Sequence, residues 1–219
     1  MMRSARQQPG ARAWPAILFA SLMLCGSAIS AGQQTAFEDK LSGTQLLATL
    51  KAGGNVIFIR HAATENDFAD QVRAVMGDCS TQRTLSEAGW RQARAIGKAF
   101  EQLQIPVGDV YSSEYCRAWQ TADLAFGRYL KTPDLNFEPA EDDSDGQIAA
   151  MRMRMTPHLA AMPKEGLNTV LVGHDDPFEA ATGIYPEPMG VAFVIKPDRA
   201  GGFSIVADVA AEELAELAR

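Results

Sequence analysis

The sequence predicts an α/β fold: a three-layer sandwich in which a mostly parallel sheet is flanked by helices. Two apolar runs rich in β-branched residues, at 55–60 and within NTVLVGH (168–174), have the continuous hydrophobicity of strands covered on both faces. Segments of helical period alternate with such runs, as crossover helices in a parallel sheet require. Near the C-terminus, VAFVIKPDRAGGFSIVADV reads as two strands joined by a glycine turn, an antiparallel hairpin at one sheet edge.

The elements follow in order. Arg3, Arg6 and Arg12 form a basic region without an acidic residue, and AWPAILFASLMLCG is too short to span a bilayer comfortably. Ala28 and Ser30 fit the small-residue pattern of a cleavage site. Residues 1–31 are therefore expected to be a cleaved signal peptide. The remainder, 32–219, is expected to form one domain, exported and periplasmic, with no stable membrane span. Leu41, Leu46, Leu47 and Leu50 then mark a helix stopped by Gly53 and Gly54. After the strand at 55–60, residues 62–84 are polar and irregular, a loop or lid.

Ser86 caps the next helix, Glu87 and Arg91 form an i,i+4 pair, and Trp90, Ala93, Ile96, Phe100 and Leu103 make its apolar face. IPVGDVYSS reads as a strand, EYCRAWQTADLAF as a helix and DLNFEP as a candidate third strand. A Met-rich helix around 146–162 contains Pro157 as a kink. Following NTVLVGH, Asp176 as N-cap, Pro177 at the first helical position and Glu179 as capping-box partner start another helix. An amphipathic helix ends the chain.

Composition narrows the function. A chain of 219 residues with 47% apolar and 21% charged content can bury a core without metals or staples. Its net charge of −7 argues against nucleic acid as a partner, though a local arginine cluster can still bind an anion. Once Cys25 leaves with the signal, Cys79 and Cys116 remain as an even pair, a candidate disulfide in an oxidising compartment. Two buried thiols are the alternative.

In open α/β sheets ligands gather at the carboxyl ends of strands. Here Arg60 and His61 end one strand, Gly173 and His174 end another, and Arg117 opens the helix after a third. Two arginines can hold phosphoryl oxygens in bidentate fashion, and a neutral histidine can attack phosphorus. The set suits a phosphate monoester and requires no metal or cofactor. His158, which follows a proline on a polar helix, is expected at the surface. No GxxxxGK[ST] loop, HExxH helix, CxxC pair or G-x-S-x-G elbow occurs.

RHAAT after a strand, LSEAGWRQA, SSEYCRAWQTA and VLVGH, in this order, resemble the signature regions of the histidine phosphatase superfamily, with its phosphoglycerate-mutase-like fold. The likeness is to its smaller, mutase-like branch. The resemblance implies that His61 is the phosphorylated nucleophile and that Arg60, Arg117 and His174 complete the phosphate pocket. It also implies that Thr64 lies on the phosphate side. For the proton donor the resemblance offers Asp175 first, with Glu138, Glu141 or no dedicated donor as alternatives. Arg83 is a candidate contact for the rest of the substrate. The activity implied is a phosphomonoester hydrolase, with a non-catalytic phospho-ligand-binding envelope protein or a phosphomutase as alternatives. The substrate would be a phosphorylated small molecule, a glycan or a phosphoprotein; oligomeric state is left open.

Overall fold

A computed structural model describes residues 37–66, 74–138 and 144–218. The expected signal peptide lies outside these residues, as does Glu141. Helix α1 (Gly43–Ala52) leads into strand β1 (Val56–Arg60), followed by α2 (Glu87–Gln102), β2 (Val107–Ser112) and α3 (Cys116–Phe126). The two-residue β3 (Leu130–Lys131) precedes α4 (Asp145–Ala160), β4 (Asn168–Gly173) and α5 (Asp175–Thr182). A hairpin of β5 (Ala192–Pro197) and β6 (Phe203–Val209), then α6 (Ala211–Leu217), complete the described chain.

One six-stranded sheet has the order β3-β2-β4-β1-β5-β6. The first four positions in that order run parallel, and β5 and β6 form the antiparallel edge. This is the expected α/β sandwich. β1 is buried along its whole length because helices cover both faces. On one face, Ile57, Ile59, Val170 and Val172 pack with Ile96 and Phe100 of α2. On the other, Phe58, Leu171 and Phe193 pack with Phe178 of α5 and Met155 and Leu159 of α4.

The register of β1 on β4 pairs Arg60 with Gly173, so the residues that follow, His61 and His174, leave the sheet side by side. Helix α2 closes over that end. Ser86 accepts a hydrogen bond from Gly89 N, the N-cap its sequence implies. Gly89 lies so near β1's exit that an added Cβ would sit 1.9 Å from Ala63 O. Only glycine permits this approach.

Several local expectations are corrected. Trp90 is 49% exposed, because Gly89 and Ala93 occupy the inward positions of the first turns and rotate Trp90 outward. DLNFEP is not a strand: Pro133–Leu135 form a 3-10 turn, opened by Thr132 Oγ1 accepting from Asp134 N at 3.3 Å. The third parallel partner is instead β3. Helix α5 starts two residues early, with His174 as N-cap and Asp175 and Asp176 in its first turn, so Asp176 is not the cap. His158 is partly buried rather than on the surface, 2.9 Å from Asp134 and tying α4 to that 3-10 turn.

Candidate active site

The carboxyl ends of β1, β2 and β4 bring His61, Arg60, Arg117 and His174 together. All four are buried. The imidazole centroids of His61 and His174 lie 5.3 Å apart. Arg117, in the first turn of α3, reaches His61 Nε2 with its Nε at 3.2 Å.

The hydrogen bonds assign each tautomer. His61 Nδ1 lies 2.9 Å from the carbonyl oxygen of Ala62, which can only accept, so Nδ1 carries the proton. Its Nε2 therefore presents a lone pair, which accepts from Arg117. His174 is arranged the other way. Ser113 Oγ donates to Asn136 Oδ1 at 2.7 Å, so toward His174 Nε2, at 2.9 Å, it must accept. His174 then carries its proton on Nε2, and its buried Nδ1 has no partner among the described residues.

Burial, and then the charge of Arg117, push His61 down to about 3. The same two causes hold His174 well below the ordinary histidine range, with Arg60 and Arg83 adding to them. Both rings are neutral at pH 7. A neutral ring with an exposed lone pair is a nucleophile, and a neutral ring with an unpartnered nitrogen can take a proton when an anion arrives.

Arg117 lies beneath two aromatic rings, with its guanidinium carbon 5.3 Å from the Tyr115 centroid and 5.0 Å from that of Phe137. Cys116, its neighbour, is bonded to Cys79 with a Cα separation of 5.7 Å. This joins the start of α3 to the loop carrying Gln82 and Arg83. Gln82 Oε1 reinforces the junction by accepting from Cys116 N at 2.8 Å. Arg83's charge reaches His174.

Thr64 is buried, with its hydroxyl 3.6 Å from Met189 Sδ. Glu138 is ion-paired with Arg154 at 2.7 Å. Asp175 is bound to Arg60 at 2.5 Å and accepts from the Tyr185 hydroxyl at 2.7 Å. Burial raises its carboxyl, but Arg60 and the Tyr185 hydroxyl outweigh burial and leave it below the ordinary range. Asp175 is thus the carboxylate partner of both Arg60 and the Tyr185 hydroxyl in this structure. Among the described residues no group of three or more His, Cys, Asp or Glu could hold a metal ion. None of their helices is long and apolar enough to cross a membrane.

Sequence reasoning missed Ser113, Asn136 and Tyr185. Only Ser113 carried a signal, as half of a serine pair at a strand's carboxyl end.

Residues 56–138 match the family model described as "Histidine phosphatase superfamily (branch 1)". No curated protein matches the chain in sequence. Among solved structures, a mutant phosphoserine phosphatase from Entamoeba histolytica in complex with phosphoserine is 17% identical, with a TM-score of 0.52. That likeness covers 73% of this chain and 98% of the other. TTHB049 from Thermus thermophilus is 20% identical at a TM-score of 0.51, covering 71% and 99% of the two chains. At these identities the likeness is one of fold.

Proposed function

Starting from a histidine phosphatase superfamily domain, which the family match and the shared fold support, we propose that this chain hydrolyses phosphate monoesters through a phosphohistidine on His61. The observation that carries the reading is the His61 ring itself. It is neutral, its Nδ1 proton is held by Ala62 O, and its Nε2 lone pair faces the guanidinium that would bind phosphate.

In the first step Nε2 attacks phosphorus and the P–O bond to the leaving group breaks. The leaving oxygen departs as a stabilised anion, or as an alcohol or phenol after taking a proton from solvent water. Arg117 turns from Nε2 to the phosphoryl oxygens, and Arg60 meets them from β1. The hydrogen bond from Nδ1 to Ala62 O stabilises the cationic phosphorylated ring. In the field of the bound phosphoryl group His174 takes a proton from solvent water on Nδ1 and donates it as a hydrogen bond to an equatorial oxygen. In the second step water attacks phosphorus, the N–P bond breaks, and phosphate leaves with His61 restored. The two arginines supply the positive charge, so the proposed reaction uses no metal.

Purified protein is expected to hydrolyse p-nitrophenyl phosphate in EDTA and to yield an acid-labile labelled phosphoenzyme on rapid quench. Full activity in His61→Ala would overturn the mechanism. Export to the periplasm belongs to the same proposal and is supported by the Cys79–Cys116 bond, which suits an oxidising compartment. Detection of the intact N-terminus in the cytosolic fraction would remove it.

A further inference from the structure

The segment between α5 and β5, which sequence reasoning passed over, encloses Arg60. Gly190 N donates to Arg60 O at 3.2 Å and to His61 O at 3.1 Å, and Arg60 N donates to Val191 O at 3.1 Å. Gly190 has φ +85°, and a Cβ there would meet the Gln92 side chain at 2.6 Å, so glycine is required for this seat. Gln92 locks it further, donating to Met189 O and accepting from Ala63 N, both at 3.0 Å.

The guanidinium is gripped by the same segment. Nη1 donates to Pro186 O at 2.9 Å. Nη2 donates to Asp175 Oδ2 at 2.5 Å and lies 3.4 Å from the Tyr185 hydroxyl oxygen. That hydroxyl donates to the same Asp175 oxygen at 2.7 Å. Tyr185's ring lies 5.2 Å from the guanidinium carbon. Both terminal nitrogens are engaged, while the buried Nε has no partner among the described residues. The rigid, planar guanidinium leaves its orientation no freedom once its far end is held.

Building on the hydrolase reading, we propose that Tyr185 and Asp175 are positioning residues for Arg60. The pair pins the distal end of the guanidinium so that the Nε edge is left for the phosphoryl group. Asp175 serves as the permanent carboxylate partner of Arg60 and not as the proton donor to the leaving group. A general acid must hold its proton before the reaction. A proton on Asp175 would instead remove the charge that holds Arg60, leaving only a carbonyl oxygen to accept from the guanidinium and the Tyr185 hydroxyl. A tyrosine ten residues beyond Asp175, which no catalytic motif includes, thereby acquires a role.

The experiment measures Asp175→Asn and Tyr185→Phe on two substrates. The leaving group of p-nitrophenyl phosphate needs no proton, whereas that of ethyl phosphate does. For Asp175→Asn, kcat/KM is expected to fall roughly 10- to 100-fold, the span of a lost charged hydrogen bond, and by the same factor on both esters. For Tyr185→Phe the fall is about 3- to 10-fold, again equal on both, with orthovanadate inhibition weakened in proportion. A loss concentrated on ethyl phosphate would make Asp175 the acid and overturn the proposal. So would a Tyr185→Phe variant with unchanged kinetics and unchanged orthovanadate inhibition.

Tyr185 is 39% exposed, so removing its hydroxyl leaves the core intact and decides the matter even where Asp175→Asn fails to fold. If the wild-type protein hydrolyses neither ester, the hydrolase reading falls, and calorimetry with inorganic phosphate then tests the anchor. Weaker phosphate binding by Tyr185→Phe keeps it, and equal binding ends it.

Discussion

His61 and His174 stand at the ends of adjacent parallel strands, follow paired positions and are both buried, yet they carry their protons on opposite nitrogens. His61 is fixed by its own chain, through the carbonyl of the next residue. His174 is fixed from a distance, through a serine 61 residues away whose own proton is held by Asn136. The first arrangement leaves a lone pair opposite an arginine; the second leaves a nitrogen with no partner among the described residues, in a cationic setting. What a histidine can do is set by the bond its other nitrogen makes.

The sharpest way to break this contrast is to remove each ring. His61→Ala is expected to lower kcat by about 10⁴-fold or more and to abolish the phosphoenzyme. His174→Ala should cost about 10²- to 10³-fold, the loss of one charge-stabilising group, while still forming a phosphoenzyme on rapid quench. Equal losses with no phosphoenzyme in either variant would erase the distinction.

Arg117 belongs to both histidines, and its helix start is tied down by Cys79–Cys116. Replacing both cysteines by serine is expected to cost roughly 4 kcal/mol of stability in the chain-entropy model, or about 8–16 °C in thermal midpoint. Calorimetry of the double variant measures it, and an unmoved midpoint would show that the frame holds Arg117 without the bond.

Ser113→Ala tests the second tautomer alone. It leaves His174 Nε2 without its acceptor, so kcat should fall by about tenfold while the His61 phosphoenzyme still forms. A further expected change concerns His61 and pH. Its folded pKa lies near 3 and its unfolded one near 6.5, so the stability from keeping it neutral is complete above pH 6.5. That contribution is lost as pH falls toward 3. By pH 5 the loss amounts to about 2 kcal/mol, which His61→Gln should not show in denaturation at pH 7.5 and 5. Nitrogen-resolved NMR at pH 5 should still find His61 neutral with its proton on Nδ1.

Legibility followed the range of the interaction. Arg60, His61 and His174 could be read because strand ends are visible as apolar runs that stop at polar residues, and parallel sheets collect such ends. Ser86 was readable as a cap because its partner is three residues away. Trp90 was misread because helical period alone does not reveal that Ala63 O takes the space beside Gly89. Tyr185 carried no signal, since its contact with Arg60 joins positions 125 residues apart.

The sequence by itself determined the layered sheet, the strands whose ends carry the chemistry and the residue types gathered there, because local hydrophobic period and charge act within a few residues. Only the tertiary structure decided which nitrogen of each histidine carries its proton and that Asp175 is paired with Arg60. It also decided that a tyrosine from a distant turn holds Arg60 in place. Hydrogen bonds are short and directional, so these assignments exist only once remote segments have been brought within about 3 Å.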